Sequence, residues 1–373
     1  MSTRPDVVIV GGGVMGCATA YFLASRHGLS VQVLERDAVA SGASGGAAGE
    51  LGAVGRHRFS AEYTAFILRG IALHNELEPE LRTASGVDYR LVDIPLLRPA
   101  FDDHEAAELR EQMAWQRELG MDVEWHDEQG VHALGTWLGP EAIGGALTVE
   151  RQLETYPFAL ALAGAAEKVG VSFRTAEVTG LLGDGVTRGV RVGSEQVEAG
   201  QVLIASGPWA VHAGPWFGMD LPVYPLRGQI VHVDVPAGMA MPTHAIFHES
   251  GYVLPKAGGD LLVGTTQEEA GFDASPTLEA QNAIMEAVGR LAPPVLDAPI
   301  RDLTACLRPA SRDELPIIGP VPGWEGLHLC TGHSYKGITL ALVTGLHLAE
   351  LMATGTSSLS LEPFSPARFA QRG

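Results

Sequence analysis

Four β-branched residues, Val7-Val8-Ile9-Val10, pass directly into Gly11-Gly12-Gly13-Val14-Met15-Gly16 and then into an apolar stretch containing Ala18, Tyr21, Phe22 and Leu23. A β-branched run without polar alternation is what a parallel strand buried on both faces requires. The stretch after the glycines reads as a helix that Gly28 closes, and Val31-Gln32-Val33-Leu34-Glu35 supplies a second strand. Strand, glycine turn, helix and strand within roughly thirty residues make a βαβ unit, the context that gives Gly-x-Gly-x-x-Gly its meaning. Gly11 permits the tight turn, Gly13 lets backbone N–H groups approach a pyrophosphate, and Gly16 lets the helix lie close to the sheet. The helix N-terminus, with Val14 and Met15 in its first turn, favours the phosphate charge. Glu35 ends the second strand about twenty residues beyond Gly16, where a carboxylate reaches a ribose hydroxyl pair, with Arg36 beside it. These residues predict a bound dinucleotide without separating NAD from FAD.

The other 300 or so residues are enough for a second core. Residues 60–82 and 103–120 read as helices, while 86–101 and 121–149 read as shorter strands and turns. A helix over Tyr156–Val169 leads to a strand from Val171, and Gln201–Ala205 forms another that ends in Ser206-Gly207-Pro208-Trp209. The segment Ser41–Gly55, rich in small residues, fits neither periodicity and reads as a loop whose backbone passes close to something. Alternation from 226 to 265 predicts antiparallel strands over Gly228–Val235, Gly251–Pro255 and Leu261–Gly264, followed by a helix over 277–291. The chain closes with a strand at Leu327–Cys330, a glycine turn, and a long helix from about Gly337.

Charge narrows the partners. Lys and Arg number 25 against 44 Asp and Glu, a formal net charge of −19. Such a surface repels nucleic acid and anionic lipid, so an anionic ligand must be met by a helix N-terminus or a single arginine. The three cysteines, Cys17, Cys306 and Cys330, form no metal or disulfide pattern and point to a reducing compartment. Val7–Val10 is too short for a signal peptide, and Ile338–Met352, which carries His347 and Glu350, is too short to span a bilayer. A soluble, cytoplasmic protein is expected, with homo-oligomerisation left open. His57, His244 and His248 lack ligand spacing, so no metal is expected.

Three later segments carry a resemblance. They are Ser44-Gly45-Gly46-Ala47-Ala48-Gly49-Glu50-Leu51-Gly52; then Ile204-Ala205-Ser206-Gly207-Pro208-Trp209; and finally Cys306-Leu307-Arg308-Pro309, Asp313, Pro316–Gly319 and Thr331-Gly332-His333 through Gly337. In their order and spacing the chain resembles the D-amino-acid-oxidase-like family of FAD-dependent oxidoreductases. It is most similar to the glycine oxidase branch, with some sarcosine oxidase features. The resemblance implies an α/β fold in which a discontinuous Rossmann-like FAD-binding domain (1–83, 151–217 and 301–373) joins a substrate domain (84–150 and 218–300). That second domain is expected to be α+β, on a mainly antiparallel sheet.

The same resemblance places Ser44, Ala47, Ala48, Gly49 and Leu51 along the pyrophosphate and flavin, with Val178, Ser206, Gly207 and Trp209 nearby. Cys306, Gly332, His333, Lys336, Gly337 and Ile338 complete the implied cofactor set. Gly332 and Gly337 bracket a turn at a helix start, whose positive end suits the flavin N1–C2=O edge after reduction.

For the substrate, Arg308 matches the family's carboxylate-binding arginine, and a planar guanidinium holds a carboxylate bidentately. Tyr252 matches a tyrosine that lines the substrate cavity and donates to that carboxylate. Glycine oxidases carry an arginine where this chain has Ser334-Tyr335-Lys336, which makes Tyr335 a candidate there, and a methionine where Glu50 stands. Glu50 either faces the substrate, pairing with an amine or narrowing the substrate range, or is a solvated loop carboxylate. Cys306 stands where sarcosine oxidases link flavin covalently and where glycine oxidases have glycine; a buried, inert thiol is the other reading. The stretch Asp260–Gly264 offers no lysine of the kind sarcosine oxidases use towards oxygen, which favours the glycine oxidase branch.

Glycine, sarcosine, D-proline or a D-amino acid is the substrate type this implies. Hydride would pass from Cα to flavin N5, the imine would hydrolyse to an oxo acid, and O2 would reoxidise the flavin to give H2O2. Two other readings stand: a dehydrogenase for amino acids or 2-hydroxy acids that passes electrons to a quinone or partner protein, and a redox-inert FAD-binding module.

Overall fold

The computed structural model describes residues 4–52, 58–134 and 137–370, so His57 lies outside the described residues. Strand β1 (Val7–Val10) leads through the glycines to α1 (Val14–His27), which ends at Gly28 in the left-handed region, and then to β2 (Val31–Glu35). Val7 and Ile9 enter one core while Val8 and Val10 enter another, so both faces of β1 are covered. A four-residue helix, α2 (Ala43–Gly46), lies in the stretch that the sequence marks as a loop. Next comes α3 (Ala61–Ser85), capped by the Ser60 hydroxyl accepting from Tyr63 N–H and closed by Gly86 at φ 73°.

The chain then crosses into a second layer with β3 (Val92–Ala100), α4 (Asp103–Glu118), β4 (Val123–Asp127), α5 (Glu128–Ala133) and β5 (Gly144–Gln152). It returns through α6 (Thr155–Lys168) and β6 (Ser172–Thr175). A small meander, β7 (Gly180–Asp184), β8 (Val186–Val192) and β9 (Glu195–Glu198), precedes β10 (Gln201–Ile204). A second excursion holds β11 (Val223–Val233), β12 (Ala245–His248), β13 (Gly251–Pro255), β14 (Leu261–Gly264), α7 (Leu278–Leu291) and β15 (Ile300–Ser311). The end is β16 (Ile317–Pro320), β17 (Leu327–Thr331) and α8 (Gly337–Thr354).

Two main sheets result. The first has strand order β16-β17-β10-β1-β2-β6, parallel except at edge strand β16. Helices α1, α3, α6 and α8 pack together on one face, with Gly345 of α8 close against Ala18 of α1. The second sheet, β15-β11-β14-β13-β12-β3-β5-β4, is antiparallel except between β12 and β3. Helix α7 covers one of its faces; the other presents Ile94, Leu96, Ile230, Leu254 and Leu262, with Ala48 of the cofactor segment packed on them.

Several details depart from the sequence reading. Strand β11 begins at Val223, not Gly228, because Pro225 interrupts the strand pattern although it sits opposite Pro309. The stretch from 300 to 311 hydrogen-bonds in the second sheet, which brings the Arg308 segment onto that sheet's edge strand. The meander β7–β9 had no clear signal in the sequence. Helix α8 is longer than Ile338–Met352, and with the preceding turn (Ser334–Thr354) it is long and apolar enough to cross a membrane; 67% of that window is buried against other helices.

Burial also sets a pH limit. Desolvation lowers the imidazole pKa of His74 and His328 to about 4 and that of His333 to about 3, from 6.5. The unfolded chain therefore binds protons that the folded one refuses, so stability is full above pH 6.5 and is lost as pH falls towards 4. Full protonation costs roughly 3 kcal/mol for His74 and for His328 and roughly 5 kcal/mol for His333. Thermal unfolding at pH 7 and pH 5 should show a clear drop in midpoint at the lower pH; equal midpoints would contradict this.

Candidate active site

A cavity of about 1160 Å³ runs from the β1–α1 turn to the inner face of the second sheet. Its first end is built by the glycine turn. Gly11 has φ 113°, and a Cβ there would lie 2.5 Å from the Ala205 carbonyl oxygen, so only glycine lets β10 pass this close. At Gly16 a Cβ would collide with the Gly11 carbonyl, which is how α1 comes to lie against the turn; Gly16 itself is not on the cavity wall. Gly13, Val14 and Met15 are on that wall, and Val14 N–H donates to the Ser44 hydroxyl at 3.0 Å.

The carboxylate of Glu35 accepts from Gly12 N–H at 2.7 Å and Asp37 N–H at 2.9 Å and lines the same end, beside Val178. The Arg36 guanidinium stacks over the Trp209 ring at 5.1 Å, and Ser206 and Gly207 complete this wall. Gly207, at φ 56°, is pinned by Thr331, whose hydroxyl donates to its carbonyl at 2.7 Å.

The middle of the cavity is walled by Ala47, Ala48, Gly49 and Glu50, a segment clamped from several sides. The Thr155 hydroxyl donates to the Ala47 carbonyl at 3.0 Å, and Lys256 Nζ donates to the carbonyls of Ala48 and Leu153 at 2.7 Å each. The backbone on either side of Glu50 is tied to the end of β5, with Leu153 N–H donating to Gly49 O at 2.9 Å and Leu51 N–H to Arg151 O at 2.8 Å. Lys336 Nζ donates to the Gly52 carbonyl at 2.5 Å, tying the turn before α8 to this segment. Burial pushes both lysines below their ordinary pKa, Lys256 to about 8. The close neighbour that the small residues allow is thus partly protein. Leu51 is fully buried in the core and lies off the cavity.

Arg308, Tyr252 and Cys306 meet at the other end. The Arg308 guanidinium lies flat over Gly228 of β11, where a Cβ would strike it. It donates to the Thr266 carbonyl and the Thr265 hydroxyl, both at 3.1 Å. Two of its five N–H donors are used in this way, and among the described residues no carboxylate pairs with it. Tyr252 is sandwiched between Phe247, stacked at 5.0 Å and 14°, and Gly264, where a Cβ would meet the ring. Burial raises its phenol pKa despite Arg308, so it remains a hydrogen-bond donor. Cys306 packs on Gly46, its thiol donating weakly to the Gly46 carbonyl at 3.7 Å, and burial raises its pKa too.

The turn before α8 closes the cavity with His333, Lys336, Gly337 and Ile338, while Gly332, at φ 75°, packs behind them on Ile317. His333 is buried, its Nε2 within 3.2 Å of the Thr344 hydroxyl. Tyr335 projects to the cavity mouth and is 59% exposed.

Sequence reasoning missed Thr265, Phe247 and Arg98, all on the cavity wall. Arg98 carried a signal, a charge set between Leu96-Leu97 and Pro99-Ala100 in β3, but its guanidinium lies 3.9 Å from Glu150 and is already partnered.

The family model described as "FAD dependent oxidoreductase" matches residues 6–351. Glycine oxidase of Geobacillus kaustophilus is 33% identical over 372 residues, covering 99% of this chain and 98% of that one. The crystal structure of glycine oxidase from Geobacillus kaustophilus superposes with a TM-score of 0.90 at 32% identity, covering 98% of each chain. Hydrogen cyanide synthase subunit HcnC of Pseudomonas aeruginosa is 30% identical over 409 residues, covering 99% of this chain and 97% of that one.

Proposed function

This chain belongs to the FAD-dependent oxidoreductase family, and from that premise we propose that it oxidises a small amine acid of the glycine, sarcosine or D-amino-acid type. The imine product would hydrolyse to an oxo acid, with O2 as electron acceptor and H2O2 as by-product. The observation that carries the reading is the Arg308 guanidinium, facing the cavity with no carboxylate of its own among the described residues. A half-buried arginine in that state is poised for a ligand carboxylate. Arg98, the other arginine on β-strand walls of this cavity, has Glu150 and lacks that vacancy.

The residues present fit FAD. The Gly11–Gly13 turn and the N-terminus of α1 would take the pyrophosphate, Glu35 the ribose, Arg36 and Trp209 the adenine end, and Ala47–Gly49 with Gly337 and Ile338 the flavin. When bound, FAD supplies the two-electron oxidation. The chain's own part is to orient the substrate: Arg308 and Tyr252 hold the carboxylate, and the Phe247–Tyr252 stack with the inner face of the second sheet keeps water from that end.

Oxygen uptake with a panel of amine acids, run beside an artificial quinone acceptor, tests the reading. Uptake with equimolar peroxide and oxo acid is expected. Turnover with the quinone alone would make the protein a dehydrogenase, and turnover with neither would refute the proposal.

Two further outcomes follow from the geometry. Gly228→Ala should push the Arg308 guanidinium off its seat and raise KM by about tenfold to a hundredfold with FAD retained; an unchanged KM would show that this seat is unimportant. FAD should be held noncovalently, since burial keeps Cys306 in its protonated thiol form against Gly46. Acid precipitation should leave the yellow colour in the supernatant; a yellow pellet would mean a covalent bond.

A further inference from the structure

We propose that Glu50 receives the substrate's ammonium group and takes its proton, so that the amine acid held by Arg308 is oxidised as the free amine and 2-hydroxy acids are disfavoured. This rests on the function proposed above and deepens it by assigning the group that recognises the amine.

Glu50 is on the cavity wall, and its Oε1 is buried with no hydrogen-bond partner. Its position is fixed from both sides. The backbone bridges to Gln152 of β5, and the carboxylate folds back over Gly52, where a Cβ would overlap Oε1. Oε1 is covered by the chain itself, so a ligand would meet the carboxylate at Oε2, and a positive charge there would offset the cost of an anion partly withdrawn from water without a donor.

Among the described residues, the neighbouring cations do not provide one. Lys256 donates to the carbonyls of Ala48 and Leu153, and Lys336 to that of Gly52. Both feel the Glu50 charge without bonding to it. Glu50, Tyr252 and Arg308 all line this one cavity. The other charged groups near it, among the described residues, are Arg98 on β3 and Glu150 on β5, which act on Lys336 from beyond it.

One proton passes from the substrate nitrogen to a Glu50 oxygen, turning the carboxylate into the acid and freeing the nitrogen lone pair. That pair forms the C=N bond as Cα gives up its hydrogen with the bonding electrons to the oxidant, FAD. A 2-hydroxy acid brings a neutral hydroxyl in place of the ammonium, and so loses the charge-assisted contact with the carboxylate.

The test uses the FAD-loaded protein and its Glu50→Gln variant. Binding of 2-aminoisobutyrate, an amine acid with no Cα–H to give up, and of 2-hydroxyisobutyrate is measured by calorimetry. The variant should bind the amine acid at least tenfold more weakly and the hydroxy acid unchanged. Its kcat/KM with an active amine acid should fall about a hundredfold at neutral pH and recover as pH rises and the substrate deprotonates in solution. Should Glu50→Gln fail to fold, Glu50→Met is read by the same pH profile. Equal losses for both ligands, or a pH profile like that of the wild type, would overturn the inference. If no amine acid reduces even the wild-type flavin, it is the proposed function that fails instead.

Discussion

Arg308→Ala should lower kcat/KM for the amine acid by about a thousandfold while the protein keeps its FAD and its yellow spectrum. The size follows from what is removed: a charge-assisted, two-point contact with a carboxylate in a partly desolvated chamber, worth roughly 4 kcal/mol in comparable pairs. Thr265 and Thr266 hold the guanidinium in place, and among the described residues no carboxylate competes for it. Arg308→Lys keeps the charge but loses the planar fork, and should recover only part of the activity. Steady-state kinetics at matched flavin content would measure both. Activity of the alanine variant within a few-fold of wild type would mean that the substrate carboxylate lies elsewhere.

Gly16→Val should yield a colourless protein. Even a Cβ at this position overlaps the Gly11 carbonyl, and the collision can be relieved only by moving α1 away from the turn it caps. That displacement removes the helix N-terminus from the pyrophosphate and breaks the alignment of Gly11 with the segment just after β10, where the Ala205 carbonyl already lies 2.5 Å from where a Gly11 Cβ would be. The fold itself should lose roughly 3 kcal/mol or more, from overpacking and from the missing ligand together. Flavin absorbance per mole of protein, followed by a thermal unfolding midpoint with and without added FAD, would measure both losses. Full flavin occupancy in this variant would contradict the role given to the turn.

How much of this was readable in the residues depends on whether the signal was local. The β1–turn–α1 unit was legible because burial on both faces, close approach and positive φ each demand particular residue types at fixed spacing, and Glu35 then falls at the end of β2. The place of Arg308 was less so. Its motif was visible, but β15 pairs with β11 in register across the second sheet, a long-range fact that local periodicity does not carry. The seat beneath it, Gly228, looked like any strand glycine until the guanidinium was found lying on it.

Tyr335 shows the opposite case. Resemblance drew it towards the substrate, yet the turn Ser334–Lys336 sends it to the mouth and turns Lys336 inward, where it binds the Gly52 carbonyl. Glu50 could be read either way from the chain alone, because only the fold shows that the acid's Oε1 is buried and unpartnered.

The central claim is that FAD in this protein is reduced by an amine whose carboxylate is held by Arg308. Anaerobic mixing of the FAD-loaded protein with small amine acids, and separately with the same amines lacking the carboxylate, tests it most directly. Bleaching of the flavin band by at least one amine acid and by none of the decarboxylated amines is the predicted result. No bleaching by any amine acid, or equal bleaching by amines without a carboxylate, would contradict it.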